Sequence, residues 1–277
     1  MKYPMLIAAF VATATGHASA AAYDDLSHGL DANQRGDSDA AVAAFTAALT
    51  AGDLNPGMIP NAHVGRAIAY LRQKKCAEAQ ADVDDATKLK PNYADANSLR
   101  VAVDLCFNQP EKAVADFSPL IEASPSKTWL YNERGRLRWR AGDYAGASDD
   151  FGKVDHKTFN YQYTVLWLEL VRLRAGTLDI TQAKRDVSDL NLSDWPEPLF
   201  NVYLGEGSPE DAIAAAGRGD ERTVRNQQCE ANFYLAEWML VRRDVATAKP
   251  MLEQARDKCP KDFLEQSAAE VELGRLK

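Results

Sequence analysis

The chain has 277 residues, 46% of them hydrophobic, enough to bury a core without a metal or a dense disulfide framework. Its formal charge of -8 repels the phosphate backbone and argues against nucleic acid as a partner. Beyond the first twenty residues no stretch approaches the ~20 consecutive apolar residues that an integral membrane span requires.

The N-terminus reads MKYPMLIAAFVATATGHASA. Lys2 gives a short positive region, Met5 to Ala14 an apolar run, and Ala18-Ser19-Ala20 a small-residue cleavage site, the pattern of a secretory signal peptide. The alternative is a buried N-terminal helix. Cleavage after Ala20 predicts an exported protein, periplasmic in a bacterium, and no cysteine follows the run to carry a lipid.

From Tyr23 to Ala51 comes a first, weak copy of a repeated unit, with Gly29, Ala41, Phe45 and Ala48 in register, followed by the Gly- and Pro-rich loop AGDLNPGMIPNA. Three clearer copies run Asn61–Pro91, Ala94–Pro125 and from Thr128 on. A degenerate copy, YQYTVLWLELVRLRAGTLDITQAKRDVSDL, begins at Tyr161. Short helices are predicted over Pro196–Leu204 and Pro209–Gly217, with GEGSPE between them as a turn capping a helix near Ser208. Another clear copy spans Cys229–Pro260, and a last helix over Asp262–Leu276 reads as a cap on the open end of a stack. The period is about 34 residues. A small residue recurs near position 8 (Gly135, Ala236) and at position 20 (Ala79, Ala113, Ala147, Ala248), a bulky one at position 24 (Val83, Phe117, Phe151, Leu252), and a proline closes most units. Each half-unit has helical apolar spacing, and the closing proline cannot continue a helix.

This pattern resembles the tetratricopeptide repeat, which implies an all-α fold: a superhelix of antiparallel helix pairs with a C-terminal capping helix. The chain then divides into a signal peptide (1–20), N-terminal repeats (21–158), degenerate helical repeats (159–225), and a C-terminal repeat with its cap (226–277). In such units the start of the first helix lies beside the end of the second, which joins Cys229 to Cys259. The first helix of one repeat packs on the second helix of the previous one, which joins Cys76 to Cys106. Four cysteines permit three connectivities, and this arrangement selects these two pairs. Four reduced buried thiols are the alternative. Zinc is disfavoured because no C-x-x-C or paired-histidine spacing occurs.

No catalytic constellation stands out. His28, His63 and His156 lie in no metalloprotease motif, no G-x-S-x-G occurs, and GEGSPE lacks the lysine of a phosphate loop. Pairs such as Asp84–Asp85 and Asp149–Asp150 read as solvated helix faces. No enzyme activity, cofactor or metal is therefore expected. The resemblance instead places a binding groove on the first helix of each pair. Its candidate residues are Trp129, Asn132, Arg136, Trp139 and Arg140, with Asn61 and Arg72 from the second unit. Tryptophan and arginine are enriched in binding hot spots, and arginine suits a carboxylate. The competing reading of Trp129 and Trp139 is packing between helices.

Three C-terminal segments narrow the likeness: Tyr203-Leu204-Gly205, Glu230 to Leu235 (E-x-N-F-Y-L) and Phe263 to Glu265 (F-x-E). They look like the end of the NlpI-type periplasmic repeat proteins. That resemblance implies a homodimeric adaptor whose partners are other envelope proteins or peptides, including cell-wall hydrolases and a protease. An accessory structural factor of an envelope or export complex is the second reading, and an unrecognised hydrolase the third.

Overall fold

The computed structural model describes residues 14–277 apart from 92, 191 and 262, with side chains from residue 21 onward. The expected leader, residues 1–20, therefore lies outside the residues whose side chains are described. All regular structure among the described residues is helical, and none of these helices is long and apolar enough to cross a membrane.

The chain forms two compact units, one ending at Pro119 and one running Leu120–Lys277. The first contains α1 (Ala14–Arg35), α2 (Ser38–Thr50), α3 (Ile59–Arg72), α4 (Cys76–Leu89) and α5 (Ala94–Cys106), and α6 (Pro110–Ala123) carries the division at Pro119. Each of α1 to α4 packs on its successor, and α3 also packs on both α1 and α5. This is the layering of stacked helix pairs. Small residues permit it: a Cβ added to Gly29 would lie 2.8 Å from Phe45, and one added to Gly65 would lie 2.3 Å from the same ring. Phe45 thus fills a slot that only glycine leaves open on both neighbouring helices. The recurring alanines Ala79 and Ala113 are fully buried for the same reason.

The second unit holds α7 (Trp129–Ala141), α8 (Tyr144–Phe151), α9 (Tyr161–Ala175), α10 (Ile180–Ser188), α11 (Glu197–Leu204), α12 (Pro209–Ala216), α13 (Glu221–Val241), α14 (Val245–Lys258) and α15 (Leu264–Arg275). Gly142 (φ 79°) ends α7 and Gly176 (φ 70°) ends α9 in the left-handed conformation that spares glycine a steric cost. Ser208 caps α12 in a reciprocal box with Asp211, as the turn at GEGSPE predicts. Two expectations shift. The helix expected to start at Cys229 begins eight residues earlier at Glu221, where the Asp220 side chain accepts from the Thr223 amide and no breaker intervenes. The boundary expected at 158/159 does not separate compact units, because Trp139 and Phe151 share one continuous core with Trp167, Phe233 and Tyr234.

A second regularity, invisible to apolar periodicity, accompanies the small residues. Arg66 and Arg134 each make a forked contact with an aspartate sixteen residues on. Arg66 reaches Asp82 at 2.8 and 2.7 Å, and Arg134 reaches Asp150 at the same distances. Arg138 also reaches Asp150 at 3.0 Å. These bonds satisfy carboxylates that the antiparallel pairing buries.

Cys76 is joined to Cys106 and Cys229 to Cys259, each across a sequence separation of 30. Both link neighbouring helices: α4 to α5, and α13 to the end of α14. On the chain-entropy account each loop closure stabilises by about 3–4 kcal/mol. Purified, non-reduced protein should show no reactive thiol when denatured, and reduction should lower the urea midpoint of both units. Four reactive thiols before reduction would refute the pairing.

Candidate functional site

The second unit contains a cavity of about 240 Å³. That is below the ~300–1,000 Å³ of sites for drug-sized molecules and suits a single side chain. Its walls come from α7 (Asn132, Arg136), α9 (Tyr163, Trp167), α13 (Glu230) and the start of α15 (Glu265). Phe159, Phe263 and Leu264 complete its apolar lining, and Phe159 is 89% exposed. It precedes Asn160, which enters α9 with φ 58°. The chain turns sharply there and leaves the phenyl ring in solvent.

Two carboxylates, 8% and 6% exposed, are built into this wall. Oε2 of Glu230 accepts from the Tyr163 hydroxyl at 2.8 Å and from the Trp195 indole N–H. Burial pushes its pKa up to about 7, opposed by the Trp195 bond and assisted by nearby Glu265. Oε1 of Glu265 accepts from the Tyr234 hydroxyl at 3.1 Å. Burial raises this carboxyl too, with Tyr234 and Arg136 working the other way. Arg136 is ion-paired with Glu133 one turn earlier.

A larger cleft of about 650 Å³ lies beside α9 and α10, lined by His156, Tyr161, Arg172, Gln182 and Asp186 among others. Its guanidinium is already held by Glu169 at 2.8 Å and Asp186 at 2.9 Å. Burial lifts Glu169 to about 7, against the pull of Arg172.

The structure scatters the residues expected to form a groove. Asn132 and Arg136 line the cavity. Trp129 is 50% exposed at the start of α7. Trp139 is a correction: it is 3% exposed and packs edge-on against Trp167 (5.1 Å between centroids) and Phe233 (6.0 Å). It is a core residue and cannot anchor a client. Arg140 is partly buried. It lies one turn beyond Arg136 on α7 and does not line the cavity, and burial, with the Arg275 charge, lowers its pKa against the pull of Glu270. In the first unit, Asn61 accepts from the Tyr93 hydroxyl at 2.7 Å, and Arg72 donates to the Asn33 carbonyl at 2.7 Å. Both are exposed and already have partners. Sequence reasoning missed Glu230, Glu265, Tyr163, Trp167 and Phe159 as a group. The available signal was a glutamate inside each of the quoted segments E-x-N-F-Y-L and F-x-E, where a buried helix face predicts an apolar residue.

One solved structure agrees with this architecture. A tetratricopeptide repeat protein from Parabacteroides merdae, known from a crystal structure, superposes with a TM-score of 0.58 over 91% of this chain and 98% of that one, at 16% identity. The fold is that of tetratricopeptide repeat proteins. Human RNA polymerase II-associated protein 3 is 32% identical over 104 residues, which is 38% of this chain and only 15% of that protein's length. The structure described as a functional characterization of Pseudomonas aeruginosa PilF has a TM-score of 0.40, covering 78% of this chain and 99% of that one at 17% identity. No family model matches the chain.

The buried glutamates carry a consequence for pH. A carboxyl whose pKa is about 4.5 unfolded and about 7 folded binds protons more tightly in the native state. Its stabilisation is complete below pH 4.5 and is lost as pH rises through 7. One pKa unit is about 1.4 kcal/mol, so the second unit should be more stable at pH 5 than at pH 8 by a few kcal/mol. All five tryptophans lie in this unit, so urea unfolding followed by tryptophan fluorescence reads it directly. Glu230→Gln should flatten the dependence, and an unfolding midpoint independent of pH would refute it.

Proposed function

We propose that the chain is an exported, non-catalytic adaptor that binds other envelope proteins through surfaces of its helical repeats. The observation that carries this reading is the open cavity in the second unit, sized for one side chain and flanked by the exposed Phe159 ring. Tetratricopeptide folds serve mostly as protein-binding scaffolds, and the paired cysteines suit an oxidising compartment. The likeness to NlpI-type proteins supports a role in bringing cell-wall hydrolases or an envelope protease to their place of action, with a homodimer as the working unit. The human relative's name concerns RNA polymerase II, and nothing of that partner is carried over to this chain.

The test is affinity capture from envelope extracts, followed by titration of each captured protein in purified form. Phe159→Ala removes an exposed ring, so its effect on stability should stay within about 0.5 kcal/mol. Loss of a hot spot costs about 2 kcal/mol or more, close to thirtyfold in affinity. A purified partner bound this way supports the adaptor. Absence of any partner that binds when purified overturns it.

A further inference from the structure

We infer that the cavity between α7, α9, α13 and the start of α15 is a socket for one cationic side chain, a lysine or arginine presented by a polypeptide partner. This rests on the protein-binding reading above and gives the ligand's chemistry.

Two independent features of the wall favour a cation. The first is the carboxylate pair. Glu230 spends one oxygen on Tyr163 and Trp195, and Glu265 spends one on Tyr234. These donors are neutral, so neither carboxylate meets an ion-pair partner. A buried carboxylate without a counter-ion is costly, and an incoming guanidinium or ammonium would supply the missing charge. The second feature is aromatic. Tyr163, Trp167, Phe159 and Phe263 line the same space, and ring faces attract cations, more strongly where water is excluded.

Arg136 is the cation in the wall and the opposing argument. Glu133 already pairs with it; its charge also acts on Glu265, but it forms no ion pair with either glutamate, so both still lack a counter-ion in contact. The sign is thus opposite to the one that an arginine-lined groove suggests, since an acidic client would face two carboxylates. The aliphatic stem of lysine or arginine also fits a rim made by Leu264, Phe263 and Phe159.

The probe is the peptide acetyl-Gly-Arg-Gly-amide, with a counterpart carrying citrulline in place of arginine. Citrulline keeps the shape of the side chain and removes the charge. The full chain is labelled with ¹⁵N, and the Trp195 indole N–H, which donates to Glu230, is the reporter. The arginine peptide should shift this signal saturably, and the citrulline peptide should bind about tenfold more weakly or worse. In Glu230→Gln and Glu265→Gln the preference for arginine should fall away. The comparison of the two peptides on the unaltered chain holds even if a variant fails to fold. Equal binding of the two peptides, or no saturable shift with arginine, overturns the socket. Failure here leaves the adaptor standing wherever a captured partner binds in purified form, whereas a socket that binds arginine with no protein partner found would tell against the adaptor alone.

Discussion

Arg174→Ala should cost the second unit about 3–5 kcal/mol, the range for leaving buried charges without their partner. Arg174 lies near the end of α9 and reaches three other helices. Its guanidinium is 3.5 Å from Glu237 on α13 and 3.4 Å from Glu272 on α15, and it donates to the Tyr144 hydroxyl of α8 at 2.8 Å. Glu237 and Glu272 are essentially inaccessible to water. Burial disfavours the charge on Arg174, but the two carboxylates outweigh it and raise its pKa. Burial raises the Glu237 carboxyl, and Glu272 adds to the rise while Arg174 opposes it. Without Arg174, Glu272 still has Arg275, but Glu237 loses its ion-pair partner and is driven to protonate, so the penalty should be larger at pH 8 than at pH 5. Urea denaturation read by tryptophan fluorescence at both pH values checks this. Adding Glu237→Gln to the variant should recover part of the loss, since it removes a buried charge. A penalty under about 1 kcal/mol, the range of an exposed ion pair, would show that Arg174 does not hold the helices together.

Trp139→Ala should be comparably damaging, again by about 3–5 kcal/mol, the usual cost of deleting a packed aromatic ring. Besides its contacts with Trp167 and Phe233, the indole carries the Arg275 guanidinium 4.9 Å above its ring. Arg275 also donates to the Trp139 and Arg140 carbonyls, both at 2.8 Å. The last residue of α15 thereby caps the end of α7 across 136 positions of sequence. Truncating the ring would open a cavity and loosen this closure together. Trp139→Phe keeps an aromatic ring with no N–H to satisfy and should cost less than half as much. A surface tryptophan would instead show changes within about 0.5 kcal/mol, and that result would return Trp139 to a binding face.

Both predictions concern contacts that no local pattern announces, and the distinction runs through the whole protein. The helix pairs and their stacking were legible because small and bulky residues recur at fixed positions. Gly29 or Gly135 can pair with Phe45 or Phe151 only if two helices approach closely, and that demand is written in the residue types themselves. The cysteine pairs were legible for the same reason: once the repeat register is known, antiparallel packing sets which helix ends meet. The direction of each side chain in the inner layer was not legible. Along α7, Arg134 and Arg138 turn to Asp150, Arg136 turns to the cavity, and Trp139 enters the core. Repeat positions place Trp129, Asn132, Arg136, Trp139 and Arg140 on one nominal groove, but Trp139 is enclosed by Trp167 of α9 and Phe233 of α13, and Arg275 of α15 closes on the end of α7. The candidate site depends on the same closure. Glu230 and Glu265 are 35 residues apart on separate helices and reach one cavity only because α13 and α15 pack together. Periodicity reports what each helix hides from water; which buried acids come to face each other is fixed by how distant helices meet.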